Sequence, residues 1–505
     1  MLPNRKGEIF HKIISRIWAY KPYLLLFGLI ICFISITGFN GLYGQDSYEY
    51  LRFTNVLRGL GKNGIHPGKY YWPVLYPVFG AVFSVFFKPL LSLQIVSIIS
   101  LILSGIYLEN ILKILYASEI RLIRFFVFLF FLLSPYPLRA SLTVMSDSLC
   151  LFFITAALYY FLKYREEKSN IFFIGFAIFA TAAISTRYAA FVVMLIPAIC
   201  AVYYFFKRFS LRFFLLAAMV TVLILLPYIL VIKDYPIDFL QQGWLQNWSL
   251  TNLLRSSVEA QNGNEVYLFP NIIYCFFNLG HPAYCFTGIL FLSGTTKVFI
   301  QKRISSVQWI IIASLSLYAF FLAGIPFQNL RFLILSFPFA IILFFPGFIE
   351  ISAFVKKIKP FFLTSFFLLS LLIQSFLFAR VFIPFERDNK IEKQISGELL
   401  KYDSATLYTF SIDAALRYYG FKGKIIDLWE VKVDTLPPPQ KYALILFNEK
   451  QFSRVWKDKN PMLNWEYLKA KYPFSKVEDL PDNWELFYIT DSGGGVVKMP
   501  FGNLN

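Results

Sequence analysis

The chain is punctuated by apolar runs of roughly 17–25 residues, each long enough as a helix to cross the hydrocarbon core of a bilayer. They fall at about 22–40, 91–112, 122–138, 148–164, 170–186, 188–206, 211–232, 272–295, 305–326, 329–352 and 360–383. The fold class this implies is mainly α. It is a polytopic transmembrane helical bundle of about 11 spans plus an interfacial helix region, with a small C-terminal α/β domain outside the cytoplasm. Composition agrees: only 15% of the 505 residues are charged, 57% are hydrophobic and 20% aromatic. A soluble domain carries about 25% charged residues.

The net charge of +18 is unevenly placed. From Glu386 onward the chain holds 17 basic and 17 acidic residues, so the first 385, with 31 and 13, carry the whole excess. A basic membrane part follows from the positive-inside rule and from anionic headgroups. No soluble basic domain exists to bind nucleic acid. With the N-terminus in the cytoplasm, the inner connections are Lys113–Arg124, Lys163–Lys168, Lys207–Arg212, Lys297–Arg303 and Lys356–Lys359, each with at least two basic residues. The first outer loop is then 41–90, and an odd number of spans puts the tail outside. The chain reads as a multi-pass protein of the inner or plasma membrane, with a membrane module at 1–383 and a soluble extracytoplasmic domain at 384–505.

The stretch Val74–Phe87 is apolar but short and rich in Pro and aromatics, so it reads as an interfacial or re-entrant helix. In the tail, Ala405–Phe410 and Tyr442–Phe447 read as buried strands and Asp413–Gly420 as a short helix ended by Gly. The five cysteines all lie in or beside apolar spans, and no CxxC pair exists. With three histidines, that makes a structural metal centre a poor reading. Cys275 and Cys285 are either two buried thiols or a pair near the outer surface.

Acidic residues on the outer side of the membrane part are few: Asp46, Glu49, Asp147, Asp234, Asp238, Glu259 and Glu265. Two stand at the ends of spans, Asp46 after the first and Asp147 at the start of the fourth. Ionisable groups at such depth are costly and face internal cavities; the plainer reading of Asp147 is a helix-end acid favoured by the dipole. The first outer loop sets Asp46, Glu49, Arg52, Arg58, Lys62, His66 and Lys69 among Tyr48, Tyr50, Tyr70, Tyr71 and Trp72. Asp46–Leu60 has helical spacing with Tyr50, Phe53, Val56 and Leu57 on one face. It reads as a snorkelling amphipathic anchor or as the wall of an active site. Arg187, followed by Tyr188 in STRYAAF, and Arg331 in QNLRFLILSFP sit at a similar depth on the same side. Arg139 carries a weaker signal of the same kind.

At these residues the sequence resembles the GT-C superfamily of membrane glycosyltransferases, most of all the protein O-mannosyltransferase and aminoarabinose transferase branch. The matching pieces are GQDSYEYLRF after the first span, YYWPVLYPVFG, VMSDSLCLFF opening the fourth span, STRYAAF and NLRFLILSFP. The family's first acidic pair is often Asp-Glu; here Gln45 and Ser47 flank Asp46, and Glu49 lies one turn away. The resemblance implies transfer of a sugar from a polyprenyl phosphate donor to a lipid, glycan or protein acceptor on the outer face. It implies Asp46 as general base, with inversion at the anomeric carbon, and Asp147 orienting the acceptor or a neighbouring cation. One base suffices, where a hydrolase needs a carboxylate pair. Arg58, Lys62, Lys69, Arg187 and Arg331 are the candidates to hold the leaving phosphate. Glu49, Arg52, His66, Tyr71, Trp72 and Tyr188 complete the expected substrate-binding set. No cofactor is required by this scheme; a divalent metal is compatible with it but not indicated. The alternatives are a secondary transporter or flippase, which would show midplane charges and an internal repeat, and a glycan ligase or polymerase built on a large later loop.

Overall fold

The computed structural model describes residues 23–63, 70, 72–116, 121–232, 243–260, 263–301, 304–358 and 360–490. Its membrane part is helical, as it must be where no water pairs with the backbone. The helices are α1 (Tyr23–Thr37), α2 (Gly44–Asn63), α3 (Leu75–Phe83), α4 (Pro89–Leu115), α5 (Arg121–Leu132), α6 (Pro135–Leu142) and α7 (Asp147–Glu167). They continue with α8 (Asn170–Thr186), α9 (Ala190–Phe206), α10 (Leu211–Ile232), α11 (Gly288–Gln301), α12 (Ser306–Ala323), α13 (Phe337–Ile358) and α14 (Pro360–Leu399). Among the described residues five helices are long and apolar enough to span, or six if α5 and α6 count as one. The eleven expected spans are therefore not all reproduced as full-length apolar helices.

Two departures have local causes. The run expected at 272–295 is not one helix: it is helical at Asn271–Tyr274, breaks, turns again at Phe277–Leu279, and resumes only in α11. Gly280 and Pro282 interrupt it, because proline lacks the donor that a continuing helix needs. Buried Asn271 and Asn278 stabilise the broken form by donating to Ala323 O (2.7 Å) and Ser336 Oγ (2.8 Å). The second departure is the tail boundary expected at 383/384, which falls inside α14. After the apolar stretch, Ile391, Ile395 and Leu399 keep a four-residue spacing, and the last two are fully buried. That stripe carries the helix onward into the tail.

Helices α4 and α8 pack on α7, and α11 packs on α13. At the second contact Gly294 and Gly347 bring two backbones together; a Cβ on Gly347 would lie 1.9 Å from the Phe291 carbonyl oxygen. Small residues allow this close approach between apolar helices. The stretch Val74–Phe87 contains only the nine-residue α3, too short to cross. A 57° bend separates α5 from α6, where Ser134, Pro135 and Pro137 end one helix and start the next.

Two short strands, β1 (Ser257–Ala260) and β2 (Gly263–Val266), pair antiparallel. The tail sheet has five: β3 (Leu407–Thr409), β4 (Ile425–Asp427), β5 (Leu444–Phe447), β6 (Phe474–Leu480) and β7 (Trp484–Ile489), in the order β4-β3-β5-β7-β6. β4, β3 and β5 run parallel, while β5, β7 and β6 alternate. Helices α15 (Asp413–Tyr418), α16 (Glu449–Val455) and α17 (Asn460–Lys471) complete this domain. Of these strands, β3 and β5 fall within the expected runs Ala405–Phe410 and Tyr442–Phe447, and the Asp413 helix ends just before Gly420 (φ +108°). The tail grips the start of the membrane part. Asn389 donates to Asn40 Oδ1 and Leu42 O, Tyr48 donates to Glu392 at 2.7 Å, and Gln45 donates to Asp413 at 2.8 Å.

Candidate active site

Four segments of chain converge on one cavity. The chain leaves α1 through Gly38, Gly41 and Gly44, all at positive φ. At Gly41 a Cβ would lie 3.1 Å from the Leu142 carbonyl, so only glycine seats this loop against α6. Helix α2 then starts with Asp46 in its first turn. Asp147 opens α7. Arg187 caps α8 in extended conformation (φ −152°, ψ 124°), and Arg331 sits in the 3₁₀ turn Leu330–Ile334, where Asn329 Oδ1 accepts its backbone N–H at 2.9 Å.

The four charges form one alternating chain. Arg331 Nη1 donates to Asp46 Oδ2 at 2.9 Å and Arg331 Nε to Asp147 Oδ2 at 2.7 Å. Arg187 pairs with the other Asp147 oxygen. Both Asp147 oxygens are thus held by guanidinium groups, with a side chain only 1% exposed. The adjoining Ser146 makes no side-chain cap; its hydroxyl meets the Tyr50 hydroxyl at 2.9 Å. The helix-end reading of Asp147 therefore yields to an ion-pair reading. Asp46 is different. Its side chain is 31% exposed, and its Oδ1 accepts the Trp72 indole N–H at 3.2 Å.

These groups line a cavity of about 790 Å³. The lining is mixed: it includes the polar Asp46, Asp147, Arg187, Arg331, Tyr188 and Arg139 and the apolar Ile184, Phe191, Val192, Phe321 and Leu322. Arg139 is nine-tenths buried and lies between two rings, 4.1 Å from the Tyr136 centroid and 3.8 Å from that of Phe385.

Of the site residues expected from sequence, Asp46, Asp147, Trp72, Arg187, Tyr188 and Arg331 line this cavity. Glu49 and Arg52 do not: they pair with each other at 2.7 Å one turn along α2. Arg58 lies further along α2, exposed and outside the lining. The Lys62 side chain, His66, Lys69 and Tyr71 lie outside the described residues, as do Asp234 and Asp238. Cys275 and Cys285 are both buried free thiols. Among the described residues no three His, Cys, Asp or Glu side chains converge as a ligand set. Sequence reasoning underrated Arg139. Its signal was present: a cation two residues after Pro137 in PYPLRASL, on a segment otherwise apolar enough to be buried.

No family model matches the chain, and no curated protein does. Solved structures do. ArnT from Cupriavidus metallidurans bound to undecaprenyl phosphate superposes over 92% of this chain and 98% of its own, with a TM-score of 0.56 and 12% identity. The chain shares its fold with this ArnT structure over nearly its whole length. The apo state of the same ArnT matches equally, at a TM-score of 0.57 over 93% of this chain and 98% of that one. Archaeal oligosaccharyltransferase AglB from Archaeoglobus fulgidus, in complex with an inhibitory peptide and a dolichol-phosphate, aligns at 11% identity, 94% of this chain, 75% of that one and a TM-score of 0.49. The likeness to ArnT covers the membrane helices and the tail together.

Proposed function

We propose that this chain is an integral membrane glycosyltransferase that moves a sugar from a polyprenyl phosphate carrier to a lipid, glycan or protein acceptor. One observation carries the reading: a partly exposed carboxylate, Asp46, lines a cavity whose lining combines charged and apolar side chains. A prenyl chain suits the apolar part of that lining and a sugar phosphate the charged part. The ArnT structure with the same fold holds undecaprenyl phosphate.

Asp46 is the general base. Each of its oxygens accepts one donor, from Trp72 and Arg331, which leaves lone pairs for an acceptor hydroxyl or amine. The acceptor heteroatom forms the new bond to the anomeric carbon as its proton passes to Asp46. The bond from that carbon to the phosphate oxygen breaks, and its electron pair leaves with the polyprenyl phosphate. Attack from the face opposite the leaving group inverts the centre. Asp147 is a positioning residue, too buried to touch an acceptor, and its two arginines fix where Asp46 points. Arg187 and Arg331 supply positive charge beside the leaving phosphate. Neither the scheme nor the residues call for a cofactor.

The reaction runs on the extracytoplasmic face, with the N-terminus inside and the tail outside. The Gln45–Asp413 contact supports a shared side for Asp46 and the tail. The test is Asp46→Asn in purified protein supplied with a panel of polyprenyl phosphate sugars. Folding should persist and carrier release should stop; full activity would remove Asp46 as base. A periplasmic reporter fused to the tail should be active, and an inactive one would reverse the topology.

A further inference from the structure

The charges of the cavity do not balance unless something anionic enters it. Asp46, Arg331, Asp147 and Arg187 form a linear chain of two negative and two positive groups, balanced in charge. The two arginines that sequence offered as phosphate holders already have carboxylate partners. Arg139 is the further cation on the lining, and among the described residues no carboxylate pairs with it.

Its setting is costly without a ligand. The guanidinium is nine-tenths buried, on the short helix α6 that the bend after α5 turns into the cavity. Tyr136 covers it at 4.1 Å and Phe385 at 3.8 Å, and Tyr43 stacks in turn on Phe385 at 3.6 Å. Rings contact the faces of a guanidinium, while its N–H donors lie in the plane and point outward at the edge. Such stacking fixes the plane; Tyr136 also shares a hydrogen bond with the group, and the remaining N–H donors of its five can form the planar fork by which arginine grips phosphate. A buried cation held ready in this way implies an anionic partner.

We propose that Arg139 is the binding residue for the monophosphate of a prenyl-chain lipid, supplying the positive charge that is left over once Asp46 and Asp147 balance Arg187 and Arg331. The assignment rests on the glycosyltransferase reading above, because the lipid is that reading's carrier. The amphiphilic lining favours a lipid phosphate over a free anion: Ile184, Phe191 and Val192 add apolar surface to the same cavity. Bound phosphate brings the cavity from one net positive charge to about neutral or slightly negative, with the ion-pair chain left intact.

The experiment measures binding of undecaprenyl phosphate, undecaprenol and inorganic phosphate to full-length purified protein, wild type and variants. Wild type should bind the phosphate lipid at least tenfold more tightly than the alcohol. Inorganic phosphate at the same concentration should not compete. Arg139→Gln should abolish the preference for phosphate while undecaprenol binding stays unchanged. Arg139→Lys, which keeps the charge but loses the fork, should keep a reduced preference, and it serves if the Gln variant does not fold. Full preference retained in R139Q overturns the role of Arg139, as does an equal loss for both lipids in R139K. Competition by inorganic phosphate at lipid-like concentration overturns the lipid assignment. A wild type that does not distinguish undecaprenyl phosphate from undecaprenol instead removes the carrier reading itself.

Discussion

Replacing Asp147 by Asn probes the ion-pair chain most directly. Unit charges about 4 Å apart attract by about 4 kcal/mol at an effective dielectric near 20. Asp147 has two such partners, Arg187 and Arg331. Against this stands a desolvation cost of several kcal/mol for each buried ion. The intact chain is therefore worth little net, and the loss comes from what Asn leaves behind: Arg331 keeps Asp46, but the largely buried Arg187 loses its carboxylate. Breaking a buried pair on one side costs about 3–5 kcal/mol. The expected result is a marked fall in the apparent unfolding midpoint of detergent-purified protein, and lost activity. The decisive arm is the double variant Asp147→Asn/Arg187→Gln, which removes one charge of each sign. If balance is what matters, the double variant regains part of the midpoint lost by D147N alone. A coupling of about 0.5–3 kcal/mol is the range for contacting groups. A double variant as unstable as the sum of the two singles would refute the reasoning.

In the tail, burial pushes the Asp427 carboxyl up to about 7, and nearby Asp413 and Glu430 add repulsion. The folded form then holds its proton between the ordinary 3.8 and about 7, while the unfolded form has lost it. Tail stability should therefore fall as pH rises through that window and level off above it. Hydrogen exchange at β4 in the full chain, corrected for intrinsic rate, should show less protection at pH 8 than at pH 5, and Asp427→Asn should reduce that slope. Gly347→Ala should cost at least the roughly 1–3 kcal/mol of an overpacked core and lower the yield of folded protein, because its Cβ meets a carbonyl at 1.9 Å. Gly397→Ala, on exposed α14 with nothing within 4 Å, should instead stabilise by about 0.5–1 kcal/mol; thermal unfolding of the pair checks both.

Much of the site was legible in one dimension because a charge at the end of an apolar run stands out against its surroundings. Asp46, Asp147, Arg187 and Arg331 each carried that cost visibly, and the structure gathers all four. Which of them pair was not legible: 285 positions separate Asp46 from Arg331. Glu49 looked like a second carboxylate for Asp46, yet Arg52 lies three residues on and claims it. The break near Gly280 was masked because window composition stays apolar through a Gly-Pro interruption. The run into the tail was hidden for the opposite reason, since charges on one face of α14 obscured the buried stripe of Ile395 and Leu399. Arg139 looked like a snorkelling end residue because the ring from Phe385 that covers it comes from far along the chain.

The 40 residues of α14 extend for about 60 Å if straight. The tail is thus carried on a mast rather than a tether, and its place over the cavity is set by the membrane helices beneath. The proline within this mast is Pro384, where the helix lacks one N–H donor. A flexure there acts first on the next residue, Phe385, whose ring closes one face of Arg139. Force applied to the tail would in this way reach the cavity through the ring of Phe385.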